Sequence, residues 1–200
     1  MEWVGGVDNA PAAGVIRPSY VPAGGRTMPL AKATSARDSF GWLANTLAER
    51  RRMSGTLFQA ASRQEIQQRL ARLSPDRAPR WGRFNAPRMV VHLADSIRMA
   101  FGELSVAPKT TPLRYPILKQ FAIYVAPWPR GSATSPELLA RAPAAWNGEI
   151  VTLSALVEKF STRSPAGKWP RHPLFGSMTG RAWGVLAYRH CDHHFRQFGI

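Results

Sequence analysis

Met178-Thr-Gly-Arg-Ala-Trp-Gly-Val-Leu-Ala-Tyr-Arg-His190-Cys-Asp-His193-His194-Phe-Arg-Gln197-Phe-Gly-Ile200 is the stretch on which the fold turns. It holds three of the chain's five histidines. With Thr179 as a cap, Trp183, Leu186, Ala187, His190, His193, His194 and Gln197 recur at spacings of three and four and share one face of a helix. That face is half apolar and half ligand set. His190 and His194, one turn apart, aim two imidazole nitrogens at one point, as a single helix does when it supplies two metal ligands. His190 with His193 is an alternative pair at i, i+3, and Cys191 with His194 is a softer one. A third protein ligand has to come from elsewhere in the chain.

The chain has 200 residues, enough for one domain and an extension. A hydrophobic fraction of 44% with 10% aromatics supports a globular core. A single cysteine excludes an intramolecular disulfide, no leader pattern opens the sequence, and the apolar run Phe121 to Trp128 is far too short to span a bilayer. The expected compartment is the cytoplasm, with no membrane partner. The formal charge is +15, most of it carried by residues 53–200. Arg63, Arg69, Arg72, Arg77, Arg80, Arg83, Arg88 and Arg98 are scattered rather than blocked, so nucleic acid is not the expected partner.

Residues 1 to about 37 are rich in Gly, Pro and Ala without helical or strand period and read as a disordered N-terminal extension. A short helix is expected over 38–52, ending in Arg50-Arg51-Arg52, with the domain proper spanning 57–200. Ser62-Arg-Gln-Glu65 has the form of a capping box that starts an amphipathic helix running to about Leu73. Asn85 with Pro87 just inside starts the next, strongly apolar helix, closed by Gly102. Tyr115 to Val125 is a further helix flanked by prolines. Ser135-Pro136-Glu137 has the features of another start, and Pro143 opens a long helix from Ala144 to Ser161. No strand pattern stands out, so the expected fold class is all-α: a four-helix bundle with short extra helices in the linkers and a site built from facing helices.

Outside the last helix only His92 and His172 remain as a third ligand. A lone histidine in an apolar helix is ordinarily a bonded core residue, but the His190/His194 pair favours His92. Asp95 and Ser96 lie on the same face of its helix as orienting partners, Asp95 also as a base. His172, in a His-Pro loop, can reach the cavity that the loop covers, as an extra ligand, a proton carrier or a substrate contact.

Met89-Val-Val-His92-Leu-Ala-Asp-Ser together with His190-Cys-Asp-His193-His194-Phe-Arg-Gln197 resembles the DinB/YfiT-like superfamily of metal-binding four-helix bundles. The resemblance covers residues 57–200. Pro127-Trp-Pro-Arg-Gly131, His172-Pro-Leu-Phe-Gly176 and the ending His-x-x-His-His-x-x-Gln-Phe-Gly are similar to a branch known only as a domain of unknown function. The resemblance implies a three-histidine site at His92, His190 and His194, with His193 at the rim. The divalent ion is Zn, Ni, Mn or Fe, which the residues do not distinguish.

An open position on such an ion acidifies water or ionises a thiol. The superfamily includes thiol S-transferases and a thiol-dependent isomerase. The implied function is therefore metal-dependent activation of a low-molecular-weight thiol for transfer to a small-molecule substrate, or for isomerisation. Arg88, Arg98, Arg189 and Arg196 are candidates to hold the thiol's carboxylates. Two alternatives stand beside it: a metal-stabilised bundle or dimerising module without turnover, and a metal-hydroxide hydrolase. Trp128, Trp146, Trp169 and Trp183 suit a core or a homodimer interface.

Overall fold

In the last segment, Thr179 takes an extended conformation and its Oγ1 accepts a hydrogen bond from the Ala182 amide, so an 18-residue helix begins at Gly180. The structure, a computed structural model, describes residues 55–200. Its helices are α1 (Ala60–Leu70), α2 (Ala86–Phe101), α3 (Pro116–Tyr124), α4 (Trp146–Lys159) and α5 (Gly180–Gln197), with single 3-10 turns at Pro112–Arg114, Pro136–Leu139 and Phe160–Thr162. Among the described residues there is no strand, only an isolated bridge between His172 and Gly176. The extension and the helix expected over 38–52 lie outside the described residues.

α2 forms as the sequence predicts. Asn85 Oδ1 accepts from the Arg88 amide, Pro87 sits in the first turn, and Gly102 closes the helix at φ 80. α1 does not start at the expected capping box. It begins at Ala60 after Gln59 and ends at Leu70. Ser62 Oγ turns to the Gln59 side chain, and Glu65 is engaged by Tyr188 and Arg69 rather than by a helix end. Pro143 does not open α4 either. The helix starts three residues later, where Glu149 Oε1 accepts from the Ala144 amide. The start expected at Ser135-Pro136 yields only the 3-10 turn, with no bond from the Ser135 side chain.

α2 packs against α4 and α5, and α1 against the same two helices, so the four long helices close a ring of contacts. Ile66, Leu93, Ile97, Leu153, Phe160 and Phe195 are fully or almost fully buried inside it. At about 25 cal/mol per Å², burial of each such side chain stabilises the fold by roughly 1.5–3 kcal/mol. α3 lies against α5 at one end of the ring. Arg189 of α5 donates to the carbonyls of Ala122, Ile123 and Ala126, placing a cation at the carboxyl end of α3, where backbone acceptors are left over.

Candidate metal site

His92 comes from the middle of α2, and His190 and His194 from successive turns of α5. Packing of the two helices brings their Nε2 atoms together. His190 Nε2 lies 3.0 Å from His92 Nε2 and 3.1 Å from His194 Nε2, and one ligand atom from each ring falls within a 4.8 Å group. Zinc–nitrogen bonds of about 2.0–2.1 Å at tetrahedral angles put neighbouring ligand nitrogens about 3.3 Å apart. The two spacings to His190 are close to that value, and the third pair, His92 with His194, lies within 4.8 Å.

The tautomers agree. His194 Nδ1 lies 2.7 Å from Gln197 Oε1, an atom that can only accept, so the ring's proton is on Nδ1 and the Nε2 lone pair is free. His92 Nδ1 faces the Leu138 carbonyl at 3.5 Å, a long contact with the same polarity. Gln197 is fixed in turn by donating to the Trp81 carbonyl, and a Cβ on Gly82 would collide with its amide. Burial pushes His92 down to about 4 and His194 to about 3, so both rings are neutral at neutral pH. His190 is pushed well below its ordinary value by burial and then by the neighbouring histidines. It is half-buried, since the cavity reaches one edge of its ring.

The site opens on a cavity of about 950 Å³. Trp183, Leu186, Ala187, His190, His193, His194 and Gln197, the face read from the sequence, all line it. Phe84 stacks on His194 and also packs against His92, while Trp128 covers His190 and His193. Among the described residues no Asp or Glu lines the cavity, and Arg83 is its single Arg or Lys.

The remaining candidates are placed as follows. His193 is half-buried on the cavity wall against Trp81, Trp128 and His194, outside the group of three. His172 is buried and lines the cavity, with Nδ1 turned to its own loop. Asp95 does not orient His92. Its carboxylate is held by Arg98 at 2.9 Å and Arg141 at 3.1 Å, away from the cavity. Ser96 Oγ donates to the His92 carbonyl rather than to its ring. Cys191 lines the cavity as a buried thiol, pushed up to about 12.

The arginines expected to hold a thiol's carboxylates are occupied. Arg88 donates to the Leu139 and Arg141 carbonyls, Arg98 pairs with Asp95, Arg189 caps α3, and Arg196 pairs with Asp192. Buried carbonyls and carboxylates need donors, and these guanidinium groups supply them. The side chain that orients a ring of the group is Gln197, on His194, while His92 faces only the Leu138 carbonyl. The i, i+3 spacing of Gln197 from His194 and its place on the same helix face were the signal in the sequence.

A family model described as a protein of unknown function (DUF1569) matches residues 48–199. The chain belongs to this family. The match takes in all five helices and every residue of the histidine site. No curated protein and no solved structure matches the chain. For this member of DUF1569, the chemistry is therefore argued from the site itself.

Proposed function

We propose that this DUF1569 protein is a cytoplasmic metal-dependent enzyme. In this reading residues 57–200 form a four-helix bundle of the DinB/YfiT-like type that activates a low-molecular-weight thiol for transfer to a small-molecule electrophile, or for isomerisation. The observation that carries the reading is the convergence of three neutral imidazole nitrogens at the wall of a large, acid-free cavity. His92, His190 and His194 would hold a divalent ion with coordination left open toward the cavity, and the ion would supply the Lewis acidity that ionises a thiol.

The chain's own residues favour a thiol from outside. Cys191 is buried with its thiol pushed up to about 12, so it stays protonated and is a poor nucleophile. With no carboxylate in the wall, an incoming thiolate meets no like charge, and no carboxylate base is at hand to activate water. Phe84 and Trp128 cover one side of the imidazoles with apolar surface, which strengthens electrostatic interactions there.

A second reading has one observation in its favour. The histidines come from two helices, so an ion would clamp α2 to α5 and stabilise the fold without turnover. The experiment is elemental analysis of untagged protein beside its His92→Ala variant, followed by a thiol-dependent assay on a chromogenic electrophile. Stoichiometric metal lost in the variant, with turnover that needs both thiol and His194, is the expected result. Metal without turnover leaves the structural reading, and metal-free protein that cannot be loaded ends both.

A further inference from the structure

His172 lies outside the group of three imidazoles, yet its ring is held in one state. The His172 amide donates to the Gly176 carbonyl and the Gly176 amide donates back to the His172 carbonyl, each at 2.8 Å, so Pro173, Leu174 and Phe175 form a tight closed loop. Inside it, His172 Nδ1 accepts from the amides of Leu174 at 3.1 Å and Phe175 at 3.3 Å. Both partners can only donate, so Nδ1 must be unprotonated and a neutral ring must carry its proton on Nε2. Burial lowers the ring to about 3, in keeping with that neutral form. Phe175 and Trp183 pack against the imidazole at 4.8 and 5.0 Å and fix its orientation.

His172 lines the cavity, and with Nδ1 held on the loop side the ring geometry directs Nε2 away from the loop amides. Among the described residues no acceptor lies within hydrogen-bond distance of Nε2. A fixed donor bonded to no protein acceptor among the described residues, in a wall that is mostly apolar and aromatic, is a recognition element for an acceptor oxygen.

We propose that His172 forms a binding subsite for the carbonyl or carboxylate oxygen of a largely apolar ligand. Arg83, the one Arg or Lys on the cavity wall, favours an anionic or neutral ligand over a cation. The inference names the substrate class for the site proposed above, and rests on that reading for the ligand's reaction but not for its binding.

The test uses full-length protein as isolated, with its metal content measured in the same sample. Two-bond nitrogen–proton NMR correlations should show His172 as the Nε2–H tautomer. Benzamide should bind and shift that resonance, whereas toluene, which lacks an acceptor, should enter the cavity and leave it in place. In His172→Asn the side-chain oxygen can still accept from the loop amides, but the shorter side chain's NH2 stops short of the position of Nε2. Benzamide affinity should fall about tenfold, with toluene affinity unchanged. An Nδ1–H tautomer, no binding of benzamide, or equal losses for both probes would overturn the proposal. If the variant does not fold, the tautomer and the benzamide shift in the unaltered protein decide alone. Protein that stays metal-free after attempted loading and passes leaves the subsite standing and ends the metal reading; metal-loaded protein that fails does the reverse.

Discussion

Gln197 owes its importance to a single bond. By accepting from His194 Nδ1 it keeps the ring's lone pair on the cavity side, and it is anchored by the Trp81 carbonyl. Outer partners of metal-binding histidines are worth about 10–100-fold in metal affinity. Gln197→Ala is therefore expected to weaken zinc binding by about that factor in a competitive chelator titration while α5 stays helical by circular dichroism. Unchanged affinity would remove Gln197 from the site. The buried histidines also fix the pH response. An unfolded histidine takes up its proton near about 6.5, whereas in the fold His92 does so at about 4, and His172 and His194 at about 3. Between those values the unfolded state binds more protons, so stability falls as pH drops below about 6.5 and is level above it. Each of these rings costs roughly 2 kcal/mol by about pH 5, and three together approach the whole stability of an ordinary domain of about 5–15 kcal/mol. Urea midpoints at pH 7.5 and 5.0 should differ widely, and coincident curves would contradict the burial of these rings.

At the scale of elements, the faces were legible in the sequence, and the ends only where a cap bonds within its own turn. The spacing from Trp183 to Gln197 reports a lining face because it depends only on helical period, and every one of its residues borders the cavity. Asn85 and Thr179 cap helices as expected because each bonds within its own turn. The Ser62–Glu65 pattern failed because Glu65 has a distant partner, the Tyr188 hydroxyl, which no local motif announces. Asp95 misled for the same reason. Its helix face suggested His92, but Arg141, 46 positions away in sequence, claims its carboxylate and also binds Glu149. Asp95→Asn is accordingly expected to lower stability, since it leaves Arg98 and Arg141 short of a buried partner, and to leave zinc affinity unchanged. Weaker zinc binding in this variant would restore Asp95 to the site. Gly184 is a second contest between elements. Alanine favours a helix interior by about 1 kcal/mol over glycine, but a Cβ here would lie 2.5 Å from the side chains of Phe58 and Thr56. Overpacking costs about 1–3 kcal/mol, so Gly184→Ala should lower the urea midpoint despite its better propensity.

Over the whole molecule, arginines help to hold the fold together. Arg63, Arg69, Arg77, Arg88, Arg141 and Arg189 each bond to carbonyls or carboxylates of other segments. The property that spans the molecule is the junction of α2 with α5, and metal removal tests it. Zinc at about a thousand times its dissociation constant adds about 4.1 kcal/mol to a fold that alone can bind it. In a chain of this size each kcal/mol moves the melting temperature by about 2–4 °C. Chelation should therefore lower melting by roughly 8–16 °C. The response must vanish in His92→Ala, which leaves α5 with only two of the three nitrogens, and persist in His172→Asn, whose ring lies outside the cluster. A chelator shift of equal size in His92→Ala would mean that α2 contributes no ligand, and that the three imidazoles are packed together without sharing an ion.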